Sequence, residues 1–388
     1  MEKNEPPFQI DRRSIKIALY GFLIVLLATM FFLKPYLPRA IFHNFAKIDD
    51  YRFFSNRIVK APAHGLPWKI AANPKAGPTA ETQALLDSLQ TTALLMIDNN
   101  EIAYEKYSLT GGVGEISGSF SMAKTIIGLL TGFALQDHRI RSLDEPASVY
   151  ITEWADYPMG KIKVKDLLTM SSGLNWNESY ANPFSITTEA YYGTNLLQTT
   201  FKQFSEFDPG TLFSYQSGTT QVLGLLLARA TNKHLAQYAS EKLWGPLGAE
   251  QDALWSLDQD EGMEKAYCCF NARARDFAKI GQLMLNDGLW PNEKGEEQEL
   301  LNSDYLKQMT TPSMIPDENG QPVDYYGYSI WLMKTAQGNV YYARGILGQY
   351  IIVVPEKRRV VVRLGMKKGK TIEHHPEEVR ALVDWALH

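Results

Sequence analysis

Ser121 and Lys124 stand three positions apart in the stretch GSFSMAKTIIGLL, residues 118–130. A run of small residues ends at the serine, and an apolar pattern of helical period begins behind it. Residues i and i+3 share one helix face, so an amine at that spacing reaches the hydroxyl. A serine in the first turn also has unpaired backbone N–H groups and the positive end of the helix dipole beside it. A neighbouring amine can take its proton if desolvation keeps that amine neutral near pH 7. The serine's own N–H can then hold an oxyanion. Phe120, Met122, Ile126 and Ile127 supply apolar surroundings. The plain alternative is that Ser121 caps an ordinary helix and Lys124 lies on an exposed turn. The tetrad alone does not decide, since roughly one S-x-x-K is expected by chance in such a chain. No G-x-S-x-G elbow surrounds Ser121.

Other chemistries find little support. Seven histidines are scattered, with only His374 and His375 adjacent, and neither HExxH nor a His/Cys cluster of ligand spacing occurs. No metal and no organic cofactor is expected. The formal net charge is −4 with Lys and Arg spread throughout, which gives no nucleic-acid footprint. The two cysteines, Cys268 and Cys269, are neighbours. Their Cα atoms lie about 3.8 Å apart across a trans peptide, below the roughly 4.4–6.8 Å that disulfides prefer. They read as small packing residues, with a vicinal redox pair as the alternative.

The elements that must position Ser121 follow from the rest of the chain. Its 388 residues, 45% hydrophobic, can bury a large core. Residues 17–33, IALYGFLIVLLATMFFL, carry no charge; with Ser14, Ile15 and a snorkelling Lys16 they approach the length of a membrane-spanning helix. A cleaved signal peptide is the rival reading. The long apolar run and the bulky FFLKPYLP after it, which offers no small-residue cleavage site, favour an uncleaved anchor over residues 14–33. Lys3, Arg12, Arg13 and Lys16 before the span and Lys34, Arg39 and Lys47 after it give a weak bias toward a cytoplasmic amino terminus. A short tail, 1–13, precedes the anchor, and the Pro-rich stretch 34–80 reads as stalk and wrap.

AETQALLDSL reads as a short helix, and TALLMIDNNEIAYEKYS as two strands around Asp98-Asn99-Asn100. Residues 121–305 are rich in helical periodicity and poor in strands. Strand signals return at GYSIWLM, NVYYARG, QYIIVVP and RVVVRLG, and PEEVRALVDWAL closes the chain as an amphipathic helix. The pattern predicts an α/β chain of the α+β type: one antiparallel sheet built from both ends, flanked by helices, with a mostly helical insertion at about 121–305.

After SMAKT come HRIRSLDEPASVYITEW, IKVKDLLTMSSGLNWNESY, FDPGTLFSYQSGTTQVLGLLLARATNKHL, LWGPLGAE, CCFNARARDFAKIGQLMLNDGLW and YYARGILGQYIIVVPEKRRVVVRLG. In this order and spacing they resemble the serine β-lactamases and penicillin-binding-protein-like hydrolases, class C enzymes and related esterases included. The likeness runs from about residue 80 to the end, and the branch it resembles most is that of the 6-aminohexanoate-dimer hydrolases. It implies a β-lactamase/transpeptidase-like catalytic domain over residues 81–388, with Ser121 as nucleophile and Lys124 as its partner.

The resemblance carries further positions. Tyr215-Gln216-Ser217 matches the Tyr-x-Asn or Tyr-x-Ser motif, which implies that Tyr215 shares the proton traffic and that Ser217 contacts substrate. Ala343-Arg344-Gly345 stands where relatives carry a Lys- or His-containing triplet ending in Gly. Gly345 would let a substrate backbone approach the strand, and the N–H of Ile346, or of Leu347 one residue on, would join that of Ser121 in an oxyanion hole. Arg344 stands in for the cation that binds a β-lactam carboxylate, though strand alternation leaves its direction open. Tyr180 matches a substrate-contacting tyrosine, with packing as the alternative, and Trp176 reads as structural. The implied function is a membrane-tethered serine hydrolase on the periplasmic side of a bacterial inner membrane, acting on a small amide or ester. The rivals are a non-hydrolytic penicillin-binding-like sensor and a β-lactamase or D-amino-acid peptidase. Oligomeric state is not legible.

Overall fold

The structure is a computed structural model and describes residues 12–292 and 294–388; residues 1–11 of the expected tail lie outside the described residues. Early and late strands meet in one sheet. The first strands are β1 (Asn56–Val59), β2 (Lys69–Ile70), β3 (Thr91–Asp98), β4 (Glu101–Tyr107) and β5 (Ser117–Gly118). The middle of the chain adds β6 (Ala253–Ser256), β7 (Phe270–Ala272) and the small hairpin β8 (Leu289–Pro291) with β9 (Glu297–Glu299). Then come β10 (Trp331–Thr335), β11 (Gly338–Gly345), β12 (Gln349–Val354), β13 (Arg359–Gly365) and the short pair β14 (Thr371–Ile372) and β15 (His375–Pro376).

The main sheet has seven strands in the order β10-β11-β12-β13-β3-β4-β2. All its pairings are antiparallel except that of the edge strand β2 with β4. β3 and β4 are joined through Asn99 and Asn100, both at positive φ, as a two-residue hairpin turn requires. The insertion is mostly helical, as its periodicity predicts; among the described residues only the short strands β6 to β9 fall inside it, and β6 and β7 pair with β1 and β5 from outside it in a second sheet, β1-β6-β7-β5.

Both faces of the main sheet are covered, and its side chains alternate between two cores. Leu95, Ile351, Val360 and Val362 face one cluster, while Leu94, Met96, Ile352 and Val361 face the other. That two-sided burial is why β12 and β13 read as continuous apolar runs.

Helix α1 (Arg12–Leu33) is followed by α2 (Leu37–His43) and α3 (Ala80–Ser88). The buried helix α4 (Met122–Gln136) starts at Ser121, and α5 (Val164–Leu168), α6 (Ile186–Tyr192), α7 (Leu196–Phe201), α8 (Ser217–Thr231) and α9 (Leu235–Ala239) fill the insertion. α10 (Ala274–Leu285) lies so close to the sheet that a Cβ on Gly281 would stand 2.5 Å from Val360 Cγ1. α11 (Ser303–Met309) follows, and α12 (Glu377–Leu387) contributes Val379, Leu382 and Val383 to the second core, beside Leu86 of α3.

Candidate active site

Ser121 lies where β5 turns sharply into α4. The turn places Phe120 at φ +45°, a left-handed conformation rare for a bulky side chain and concentrated at functional sites. Ser119 fixes the turn: its N–H donates to the Phe270 carbonyl at 2.9 Å, and its Oγ accepts from the Phe270 N–H at 3.2 Å. Ser121 itself has helical dihedrals, φ −65° and ψ −5°, and its side chain makes no capping hydrogen bond. The cap reading therefore fails. The hydroxyl faces Lys124.

Lys124 is fully buried, and its Nζ lies 2.9 Å from Ser121 Oγ, 3.1 Å from Ser217 Oγ and 3.1 Å from the Tyr267 carbonyl. Burial lowers its pKa to about 8, against the opposing pull of the Glu178 carboxylate. The protons can be placed one by one. Ser217 Oγ donates to Glu178 Oε1 at 2.6 Å, so toward Lys124 it acts as an acceptor. The Tyr267 carbonyl can only accept. A neutral amine thus spends both N–H groups on Ser217 and Tyr267 and turns its lone pair to the Ser121 hydroxyl. In the charged form the same three contacts take all three N–H groups.

Tyr215 is half-buried, with its phenol next to Ser121. Burial pushes its phenol well up, which keeps it protonated and able to donate. Its ring packs 5.4 Å from that of Trp331, and the Arg344 guanidinium sits on the far partner, 4.7 Å over the Trp331 ring, donating to the His374 carbonyl at 3.1 Å. Arg344 thus stands one aromatic layer away from Tyr215 and is not among the residues that line the cavity over Ser121.

The β11–β12 hairpin brings Ile346 and Leu347 to that cavity. Gly345 meets a close approach within the chain itself. A Cβ there would stand 2.2 Å from the Ser119 carbonyl, so the strand packs directly on the turn that carries Ser121. Leu347 and Gly348 take φ +61° and +82° in the turn. Beneath it the fully buried Arg363 donates to the carbonyls of Gly348 at 2.6 Å, Leu89 at 2.9 Å and Lys367 at 3.0 Å.

Ser121, Ser217, Tyr180, Ile346 and Leu347 all border a cavity of about 150 Å³, closed further by Asn44, Phe45, Tyr191, Tyr192 and Tyr267. Tyr180 hydrogen-bonds the Glu178 carboxylate, while 48% of its surface stays open. Trp176 is structural, its Nε1 donating to Thr187 Oγ1 at 2.8 Å from a buried position. The sequence does not single out Glu178, although it sits two residues before Tyr180 in the quoted block. It accepts from the Ser217 N–H at 2.7 Å as well as from the Ser217 hydroxyl. The wall at Asn44–Ala46 is equally unmarked, inside a stretch that composition presents as stalk.

One expectation is corrected. Cys268 and Cys269 form a disulfide across a Cα–Cα distance of 3.7 Å, with Cys269 at φ +69° and Cys268 bordering the cavity. The preferred Cα window describes cysteines free to choose their separation. For neighbours the peptide bond sets it, and the local backbone turn must do the rest. No group of metal-ligating side chains occurs among the described residues.

The sequence profile of the beta-lactamase family matches residues 80–383. A 6-aminohexanoate-dimer hydrolase of Paenarthrobacter ureafaciens is 26% identical over 293 residues, 72% of this chain and 73% of the relative. A Bacillus anthracis structure provisionally named a 6-aminohexanoate-dimer hydrolase superposes with a TM-score of 0.73 at 23% identity, over 88% of this chain and 93% of its own. A D-stereospecific amidohydrolase from Streptomyces sp. superposes with a TM-score of 0.57 at 15% identity, over 79% and 97%. At these identities the two structural likenesses establish a shared fold.

Proposed function

This chain belongs to the β-lactamase family, and on that premise we propose that it is a membrane-anchored serine hydrolase cleaving small amides or esters through an acyl-enzyme on Ser121. The carrying observation is the triple contact of the buried Lys124 amine with Ser121, Ser217 and the Tyr267 carbonyl, which in the neutral amine leaves the lone pair for the Ser121 hydroxyl. Lys124 takes the proton as Ser121 Oγ attacks the carbonyl. The backbone N–H groups of Ser121 and Ile346 hold the oxyanion. Tyr215 protonates the leaving amine or alcohol, and the proton stored on Lys124 restores the phenol. Water then repeats the cycle on the acyl-enzyme, with Lys124 again as base. Ser217 holds Lys124 and, with Tyr180, faces the substrate. Gly345 acts through the Ser119 turn.

Among the described residues that line the cavity none is a cation that would pair a β-lactam carboxylate, and Arg344 is engaged with Trp331 and the His374 carbonyl. Linear amides and esters fit this better, in line with the name of the Paenarthrobacter relative. Helix α1, apolar over Ile15–Leu33, serves as the bilayer anchor. A disulfide in the folded body fits an oxidising, periplasmic location. A panel of aryl ester, linear amide, D-amino-acid peptide and penicillin tests the reading. Ester or linear amide should give the highest kcat/KM. A penicillin hydrolysed faster than every ester and amide would overturn the substrate assignment, and covalent labelling without turnover would make the protein a sensor.

A further inference from the structure

The cavity over Ser121 is walled on one side by the segment that leaves α1. Asn44, Phe45 and Ala46 line it, shortly after Leu33 ends that helix. Between them lie Lys34, Pro35, Tyr36 and the seven-residue α2, the helix about 10 Å long at ~1.5 Å per residue. This connection is packed. Tyr36, Leu37 and Ala40 are buried against Tyr192, and Met30 and Phe31 of α1 join the same cluster. Tyr192 itself lines the cavity. The end of the anchor is therefore fixed to the cavity wall.

A headgroup layer extends about 5–8 Å beyond the hydrocarbon on each side of a bilayer. With α1 spanning, the opening stands at or just above that layer. The segment that carries this wall suits the position. Ile41, Phe42 and Phe45 are 61%, 84% and 66% exposed, and Arg39 and Lys47 are exposed beside them. Apolar side chains with flanking cations are what an anionic lipid surface accepts.

The geometry points to a substrate drawn from the bilayer: an amphiphilic amide or ester whose apolar chain enters past Phe45 and whose carbonyl reaches Ser121. The inference rests on the acyl-enzyme reading of Ser121 and on α1 as anchor. Ser121 Oγ bonds to the carbonyl carbon, the amine or alcohol departs with a proton, and water releases the acid.

The test uses the full chain in vesicles of mixed neutral and anionic phospholipid. One series of amides lengthens the acyl group from acetyl to hexadecanoyl, and a second lengthens the amine of an acetamide over the same range. A soluble fluorophosphonate counts active Ser121 in the same vesicles. In at least one series the longest member should be turned over at least tenfold faster per labelled enzyme than the shortest. Phe42→Asp, at an exposed position, should cut that ratio at least threefold. Labelled enzyme that favours the short members in both series would overturn the bilayer source and leave the acyl-enzyme reading standing. A ratio untouched by Phe42→Asp would overturn it too. Absence of both label and turnover would remove the acyl-enzyme reading and this inference together.

Discussion

At Lys124 the chemistry depends on where one proton sits. An amine can act as base only when deprotonated, and its pKa is lowered to about 8. The kcat/KM profile should therefore be low at neutral pH and rise through about pH 8. The Glu178 carboxylate works against deprotonation, so Glu178→Gln, which keeps an acceptor for Ser217, should move that rising limb to lower pH. A limb that stays in place would mean that Glu178 does not feel the Lys124 charge. Lys124→Arg preserves charge but not basicity. If Lys124 is the base, single-turnover acylation by Lys124→Arg should collapse as far as in Ser121→Ala; a loss within about tenfold, ~1.4 kcal/mol, would move the base role to Tyr215. Ser121, Lys124 and Tyr215 are legible in the sequence because each lies in a distinctive block. Glu178 is not, because a carboxylate among Asn and Ser reads as solvated loop. The disulfide was hidden by a distance rule that adjacency makes irrelevant.

At the scale of elements, the site is held by two tight turns packed on each other: the β5–α4 turn carrying Ser121 and the β11–β12 hairpin carrying Ile346. Arg363 clamps the second from below. Arg363→Met would leave the Gly348, Leu89 and Lys367 carbonyls without this donor. The Leu89 carbonyl keeps the Lys367 N–H at 3.2 Å, so two acceptors are left unpaired; at about 1–3 kcal/mol each, a total loss of about 2 kcal/mol or more is expected in urea unfolding. Acylation should slow as well, because Ile346 loses its support. Unchanged stability would show that the clamp is dispensable. The late strands are legible because burial on both faces demands long β-branched runs. The second sheet is not, since strands of two to four residues are too short to show alternation. Arg363 reads from sequence as an ordinary charge closing a strand, and only the fold reveals its buried carbonyl partners.

At the scale of the whole molecule, the end of α1, its connection and the cavity are one packed unit, which changes where the chain can be cut. A chain beginning at Lys34 keeps α2 and the cavity wall and should hydrolyse a short soluble ester like the full protein. A chain beginning at Asp49 loses Asn44–Ala46 and the Ile48 carbonyl that accepts from the Gly118 N–H at 2.8 Å, next to the Ser121 turn. Its activity should fall at least tenfold; equal activity in both would return residues 34–48 to the role of passive stalk. Composition hides this, because proline-rich segments read alike whether they dangle or pack. The claim on which everything else stands is the acyl-enzyme. Its most direct measurement is the intact mass of the protein quenched during turnover of a slow ester, followed by mapping of the modified peptide. The account expects one acyl group, on Ser121, formed and lost at rates that match turnover, and none in Ser121→Ala. An adduct on another residue, or turnover surviving in Ser121→Ala, would contradict it.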